Sequence, residues 1–368
     1  MFTAYSLAGD GSDPERLSLS DPDLEMAEML LETLLTEVCG TDLHLQSGAM
    51  GGVPYPVIPG HFMVGRVARM TGPRTDIDGR PIEEGATIAF LDVHGTCGRC
   101  WYCTSGLTPN RCPHRKVYGV SHTVSEGPLG GWSQKVLIKA DVHCALLPPS
   151  LPPERYIAGG CALPTAIHAL ERASLQLHDL VLVQGAGPVG LNIALLARAS
   201  GAQEVIIVDH SSERLDTAEQ LGFRQRMCTK AGLAGAATLA RAMSDGRGVD
   251  VVFEATGSPQ AIAEGLSLVR DGGRYIVVGQ YADRGDVMIN PHQHINKKHV
   301  TIHGVWGIEL RHFRRMIQIL SQQTATLDPA TWDILATQQY PLHEVGKALD
   351  DVRRGAVTKA MLLVGASK

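Results

Sequence analysis

A short apolar run that leads into a glycine-rich turn constrains this chain most strongly. The run LVLVQ (180–184) is followed by GAGPVG, which has the spacing GxGxxG, and then by a helical pattern. A second apolar run, EVIIVD (204–209), ends in Asp209. Two more strand-like runs, at 249–256 and 273–280, enclose another helical pattern. This alternation predicts an α/β region with a parallel, doubly wound sheet and helices on both faces.

The glycine pattern lies in the context of a dinucleotide-binding loop. The first glycine permits a tight turn, the second lets a pyrophosphate approach the backbone, and the third lets helix and strand pack closely. A lone GxGxxG is often only packing, but the strand–helix–strand frame and the acid that ends the second strand both favour cofactor binding. The predicted contacts from the loop are Gly185, Gly187, Pro188, Val189 and Gly190.

The residues after the second strand bear on the choice of cofactor. Asp209 is expected to accept hydrogen bonds from the adenosine ribose and to repel a 2′-phosphate, which favours NAD over NADP. Arg214, five residues later, is a further candidate because it could meet a phosphate, although a solvated helix face is its alternative interpretation.

The flanking regions have a different character. Up to about residue 150 the chain is rich in Gly, Pro, His and Cys, with short β-like runs, and four prolines at 146–156 end this region. The alternation stops after about residue 296, so we expect the last segment to return to the first domain. The predicted domains are 1–155 with 297–368, an irregular β domain, and 156–296, the cofactor-binding domain.

Four of the eight cysteines lie in one loop, HGTCGRCWYCTSGLTPNRCPH (94–114). Four thiolates at this spacing can close around one zinc ion and leave no open position, which is typical of a structural site. The alternatives are a chance cluster of free thiols, and a site in which His94 or His114 replaces a sulfur. The expected ligands are Cys97, Cys100, Cys103 and Cys112.

Composition excludes several function classes. The net charge is −5 and Lys and Arg are spread along the chain, so no basic patch for nucleic acid or an anionic membrane is expected. The first twenty residues lack the cationic start and apolar core of a signal peptide, and we expect a cytosolic protein without a membrane partner. A reducing compartment disfavours disulfides, which favours metal binding by the clustered thiols.

The remaining Cys and His residues suggest a second, open metal site. The stretch EVCGTDLH holds Cys39, Thr41, Asp42 and His44, PGHF holds His61, and AGGCALP holds Cys161. Each has an ordinary alternative as a buried small residue or a turn histidine. Together with the cysteine loop and the dinucleotide motif, however, they resemble the zinc-dependent medium-chain alcohol dehydrogenases over nearly the whole chain.

The resemblance implies a GroES-like catalytic domain, a Rossmann cofactor domain and two zinc ions. Cys39 of CGTD, His61 of GHF and Cys161 of the GC stretch correspond to the catalytic zinc ligands. By the same resemblance, Thr41 hydrogen-bonds the substrate alcohol, His44 ends a proton relay, and Asp42 orients His61. The family's acid after the histidine is replaced by Phe62, which puts ligand exchange in doubt.

The implied reaction is reversible hydride transfer between NAD and a small secondary alcohol, polyol or phosphonate-bearing alcohol. The last class rests on a weak similarity of IHGVWGIELRHF and GCALPTAIHALE to a branch linked to phosphonate metabolism. Two alternatives stay open: a zinc-independent quinone or enoyl reductase of the superfamily, and a non-catalytic NAD-binding protein of the same fold. The resemblance also implies a homodimer or homotetramer.

Overall fold

The chain forms two compact units in the computed structural model, which describes residues 1–106, 108–230, 232–335 and 338–365. The first unit comprises Met1–Gly160, Glu309–Gln323 and the described part of Ala336–Lys368. The second comprises Cys161–Ile308 and Thr324–Leu335. Within the described ranges, every helix is too short or too polar to cross a membrane.

The strands and α-helices are labelled in chain order. The strands are β1 (Phe2–Ser6), β2 (Glu15–Leu19), β3 (Met29–Val38), β4 (Met63–Met70), β5 (Arg74–Thr75), β6 (Pro81–Ile82), β7 (Thr87–Phe90), β8 (Val93–His94), β9 (Lys116–Val117), β10 (Lys135–Ile138), β11 (Cys144–Leu146), β12 (Leu180–Gln184), β13 (Glu204–Asp209), β14 (Arg226–Cys228), β15 (Val249–Glu254), β16 (Val269–Val277), β17 (Thr301–Gly304), β18 (Gln338–Pro341) and β19 (Ala360–Leu363). The helices are α1 (Gly40–Gln46), α2 (Trp101–Thr104), α3 (Pro153–Gly159), α4 (Ala162–Ala173), α5 (Pro188–Ala199), α6 (Ser212–Gln220), α7 (Ala234–Ala242), α8 (Pro259–Leu268), α9 (Leu310–Ser321) and α10 (Val345–Arg353).

The first unit is built on a seven-stranded sheet in which β3 is central. One edge of β3 pairs with β4, and the other pairs with β10 along its first half and β19 along its second. Nearly all residues of β3 are buried, as expected for a strand covered on both faces. This unit contains two hydrophobic clusters, one around Trp132 and Leu362 and one around Tyr118 and Phe90. The ladder brings the end of β3 beside the start of β4, which positions the residues just beyond both ends.

The second unit contains a six-stranded, all-parallel sheet in the order β14-β13-β12-β15-β16-β17. Helices connect successive strands from β12 to β16, and all five residues of β12 are buried. Numbered along the chain, this is the strand order of dinucleotide-binding doubly wound folds, whose ligand crevice lies beyond the carboxyl ends of the first strands. The predicted fold class is confirmed.

The predicted domain division differs from the structure at residues 156–160, 297–308 and 324–335. Residues 297–308 were assigned to the first domain, but β17 pairs in parallel with β16 and completes the sheet of the second unit. The alternation of strands and helices stops in the sequence because only a single turn of π-helix, His292–Asn296, lies in front of β17. Thr324–Leu335 also belongs to the second unit, although the sequence predicts it in the first domain, and residues 156–160 belong to the first unit instead of the predicted second. Helix α9 lies in the first unit, as expected for the returning segment.

Candidate functional site

The four clustered cysteines are brought together by a closed loop. Strands β8 and β9 pair antiparallel and hold the ends of the loop side by side, and Cys100 caps the short helix α2 inside it. One sulfur from each cysteine lies within 4.8 Å of the other three. The sulfurs of Cys100 and Cys103 are 3.5 Å apart and those of Cys97 and Cys112 are 3.7 Å apart.

These distances match the spacing of sulfur ligands around one zinc ion. Zinc with Zn–S bonds of about 2.3 Å holds its tetrahedral sulfur ligands about 3.8 Å apart. None of the eight cysteines, all of which lie in the described ranges, forms a disulfide. The backbone N–H of Arg99 lowers the pKa of Cys97 to about 6 against the opposing effect of burial, assisted by the N–H of Cys100, which favours the thiolate at that position. Burial raises the pKa of the Cys103 thiol.

A second group of metal-ligating side chains lies at the end of β3. It consists of Glu37, Cys39, His61 and Cys161, with one ligand atom of each within 4.8 Å of the others. Cys39 directly follows β3 and His61 lies two residues before β4, so the antiparallel ladder sets them side by side. Cys161 follows Gly160 and precedes α4.

Glu37 was not predicted from the sequence. A signal was present, because side chains two apart on a strand share a face and Glu37 is two residues before Cys39, near the end of the strand-like run MLLETLLTEV. Its carboxylate Oε1 is 3.9 Å from His61 Nε2, and its Oε2 is 2.5 Å from Lys359 Nζ.

The surroundings of His61 are strongly negative. Burial lowers the pKa of His61, but the Cys39 thiol and the carboxylates of Glu37, Asp92 and Asp42 together raise that pKa to about 9. His61 Nδ1 has no hydrogen-bond partner in the described part of the chain. Two sulfurs, an imidazole and a carboxylate form a donor set suited to zinc, and the negative field that keeps a proton on His61 would equally favour a divalent cation.

Three predicted catalytic residues lie on α1. Asp42 is fully buried, its Oδ2 accepts from the Cys39 backbone N–H at 2.8 Å, and its Oδ1 accepts from the Gly60 N–H at 3.5 Å. Asp42 therefore joins the two chain segments that carry Cys39 and His61. Its effect on His61 is electrostatic, because its negative charge raises the pKa of His61, whereas the family resemblance implies that Asp42 orients the His61 ring. Thr41 and His44 are half-buried.

The glycine loop has the geometry expected of an anion cradle. Gly185 has φ +102°, and an added Cβ there would lie 2.8 Å from the Ala255 carbonyl oxygen. A Cβ on Gly187 would meet no atom within 4 Å, which leaves open space beside the first residue of α5. Pro188 is that first residue, where no N–H is required, and Val189 and Pro188 are both half-buried. This opening lies at a helix N-terminus, where the backbone N–H groups favour an anion.

Asp209 ends β13 and joins the loop to the next turn. Its Oδ2 accepts from the Ala186 N–H at 2.7 Å and its Oδ1 accepts from the Ser211 N–H at 2.8 Å. Arg214 is one-third exposed, and its Nη1 lies 4.0 Å from Asp209 Oδ2, so its guanidinium is partly neutralised by that carboxylate.

Comparison with known proteins agrees with this geometry. The family described as "Alcohol dehydrogenase GroES-like domain" matches residues 25–149, and "Zinc-binding dehydrogenase" matches residues 188–322. A 5-exo-hydroxycamphor dehydrogenase of Pseudomonas putida is 32% identical over 340 residues, which cover 90% of this chain and 91% of that protein. A D-arabitol-phosphate dehydrogenase of Enterococcus avium is 28% identical and covers 94% of this chain and 92% of its own.

A solved structure extends the similarity to three dimensions. An alcohol dehydrogenase of Thermotoga maritima superposes with a TM-score of 0.92 at 29% identity, covering 98% of this chain and 99% of that one. The sequence match to the camphor-alcohol enzyme, the two family matches and this superposition cover both units. The protein is an oxidoreductase, and its chain belongs to the zinc-dependent medium-chain alcohol dehydrogenase family.

Proposed function

We propose that this protein is a zinc- and NAD-dependent dehydrogenase that transfers hydride reversibly between NAD and a secondary alcohol or polyol. The observation that carries the proposal is the convergence of Cys39, His61 and Cys161, whose ligand atoms lie within 4.8 Å of one another. The relatives named above act on a hydroxycamphor and an arabitol phosphate, which makes a cyclic alcohol or a polyol the substrate class of choice. A phosphonate-bearing alcohol stays a prediction from sequence.

Cys39, His61 and Cys161 would hold the catalytic zinc. Bound there, zinc supplies a Lewis acid that lowers the pKa of an alcohol and polarises a carbonyl. We assign the hydrogen bond to the substrate hydroxyl to Thr41 Oγ1, and the transfer of its proton toward solvent to the His44 ring. Asp42 holds the backbone on both sides of the site through Cys39 and Gly60.

The loop from Gly185 to Gly190 would hold the pyrophosphate of NAD, which supplies the hydride acceptor. Pro188 and Val189 form the first turn of α5 beside the opening at Gly187. The Asp209 carboxylate would accept from the ribose hydroxyls and disfavour a 2′-phosphate, even with Arg214 4.0 Å away.

Cys97, Cys100, Cys103 and Cys112 would hold a second, structural zinc. Four sulfurs close the coordination sphere, so this site would stabilise the loop and take no part in the chemistry. A cytosolic location and a homodimer or homotetramer, the latter an implication of the family resemblance, complete the proposal as predictions from sequence.

The decisive experiment measures zinc per chain and alcohol-dependent NAD reduction in the wild type and in Cys161→Ser. One zinc for each of the two groups is expected in the wild type, and loss of one in the variant together with loss of activity. Cys228→Ser is the matched control, because Cys228 is exposed and lies outside both groups. Equal zinc content in the wild type and Cys161→Ser would overturn the catalytic-zinc assignment. Full zinc without activity on a broad alcohol panel would favour a non-catalytic NAD-binding protein.

A further inference from the structure

The two carboxylate oxygens of Glu37 face different partners, Lys359 and His61. It is fully buried, and its Oε2 lies 2.5 Å from Lys359 Nζ, which is itself 2% exposed. Its Oε1 faces the opposite way, toward the cysteine and histidine group, at 3.9 Å from His61 Nε2. Glu37 thus stands between a buried ammonium and the proposed catalytic zinc site.

The distance to His61 is close to that required for joint ligation. A zinc ion with Zn–N and Zn–O bonds of about 2.1 Å places the two donor atoms about 3.4 Å apart in a tetrahedron. The observed 3.9 Å separation of Glu37 Oε1 and His61 Nε2 is about half an ångström longer. Glu37 therefore reaches the ligand position by a small side-chain movement.

A glycine at position 160 leaves the space that the Glu37–Lys359 ion pair occupies. Gly160, the residue before Cys161, has φ +51°, and a Cβ there would lie 1.9 Å from Lys359 Nζ and 2.1 Å from Glu37 Oε2. The ammonium and carboxylate thus occupy the space that any side chain at position 160 would need. The pair is packed directly against the chain segment that ends in the third cysteine.

Charge balance also favours a role for both residues. Zinc with two thiolates is neutral, and a bound Glu37 carboxylate would leave one buried negative charge. The Lys359 ammonium cancels that charge, which matters because an uncompensated buried charge is strongly destabilising.

Glu37 also compensates for a departure from the family sequence. The acid expected after His61 is replaced by Phe62, whose ring is fully buried and stacks on Tyr156 with centroids 5.2 Å apart. Glu37 is its neighbour across the ladder, because the Glu37 N–H donates to the Phe62 carbonyl oxygen at 3.2 Å. A carboxylate is therefore supplied to the same histidine from the adjacent strand.

We propose that Glu37 is a displaceable fourth protein ligand of the catalytic zinc and that Lys359 holds its carboxylate when an exogenous ligand takes that position. This inference rests on the proposed function, since it requires a metal at Cys39, His61 and Cys161. Ligand exchange would then occur between Glu37 and the incoming oxygen, with no change in the number of buried charges on the protein.

The test uses the cobalt(II)-substituted protein, whose visible absorption reports ligand exchange without any turnover. Azide is the probe, because a small anion can enter an open coordination position but not the closed four-sulfur site. Glu37→Gln should make azide bind about tenfold more tightly, and Lys359→Met should weaken it by a similar factor, as is typical for changes around a metal. The matched control is Asp92→Asn, which removes another buried carboxylate that acts on His61.

Opposite shifts in the two variants would support the proposal, because general loosening of the site would move both in one direction. The double variant Glu37→Gln/Lys359→Met removes both charges together, which avoids a lone buried ion, and it should resemble Glu37→Gln. If Glu37→Gln, Asp92→Asn and the wild type all bind azide with equal affinity, the assignment of Glu37 as a displaceable ligand is overturned. The catalytic-zinc assignment is unaffected by that result. If wild-type protein takes up cobalt only at the four-sulfur loop, the inference and the catalytic-zinc assignment fall together.

Discussion

Gly190 packs against Gly185 so closely that an added Cβ would lie 1.8 Å from the Gly185 carbonyl oxygen. Gly187, between them, has open space where its Cβ would be. The glycines of one motif are therefore required for different reasons. The first and third are fixed by contacts within the protein, whereas the second has no such contact and leaves room for a ligand.

This difference predicts opposite effects of two alanine substitutions. Gly190→Ala should lower the free energy of unfolding by about 1–3 kcal/mol, because the helix must move away from the loop. Gly187→Ala should leave stability nearly unchanged but weaken NADH binding, because its methyl group would occupy the space left for the pyrophosphate. Urea unfolding and fluorescence titration with NADH measure the two effects. Equal stability of both variants would contradict the prediction.

The position of Asp209 predicts the cofactor preference. Asp209→Asn removes the charge that disfavours a 2′-phosphate, so the ratio of NADPH to NADH affinity should rise by about tenfold, or about 1.4 kcal/mol. Calorimetric titration with both cofactors gives the ratio. Asp216→Asn, on the same helix as Arg214, is the control, and an unchanged ratio in Asp209→Asn would argue against ribose recognition by this residue.

Removal of one sulfur tests the loop site. Cys103→Ser should cost the protein the zinc of the four-sulfur group and lower its melting temperature, because structural zinc contributes directly to folding free energy. The other group should retain its metal, since it shares no ligand with the loop. Elemental analysis and thermal melting are the measurements, with Cys228→Ser as the reference. Unchanged zinc content in Cys103→Ser would refute the four-sulfur site.

A buried histidine pair predicts a pH-dependent contribution to stability. His94 Nδ1 lies 3.2 Å from Asp141 Oδ1, and His94 Nε2 lies 2.9 Å from His122 Nε2. The hydrogen bond from His94 lowers the pKa of Asp141 from 3.8 to about 2. A carboxylate whose pKa is lower in the folded state stabilises the protein above the unfolded pKa, and this contribution disappears as the pH falls through the folded pKa.

Asp141→Asn should therefore lower the free energy of unfolding by about 1 kcal/mol at pH 7, a value reduced for the half-exposed side chain. The difference from wild type should shrink between pH 3.8 and about pH 2. Urea unfolding across this range measures it. Asp245→Asn provides the control, because its side chain is 98% exposed. A difference that does not change with pH would contradict the proposed linkage.

The sequence predicts those features that depend on local order. The strand, glycine turn, helix and Asp209 follow one another within thirty residues, and short-range periodicity is enough to find them. The cysteine loop is likewise local. Strand β17 was misassigned because its place in the sheet depends on pairing with β16, and no regular helix precedes it to mark the crossover.

Local sequence patterns do not predict contacts between segments that are distant along the chain. The sequence offers His94 as a replacement for a cysteine, but His94 pairs with Asp141 and His122, 47 and 28 residues away. The structure adds Glu37 to the predicted ligands Cys39, His61 and Cys161. Its ion-pair partner Lys359 is 322 residues away in the sequence. Burial and charge give such residues their role, and both arise only when the sheet is assembled.

The arrangement of β3 between β4 and β19 has a consequence for synthesis on the ribosome. The second unit needs little beyond residue 335, whereas the sheet of the first unit lacks β18 and β19 until residue 363 has emerged. Pairings between distant segments also form slowly, because the intervening loop must first close. The second unit can therefore fold while the first still exposes the half of the β3 edge that pairs with β19. The ammonium of Lys359 is then among the last groups of the metal site to be synthesised.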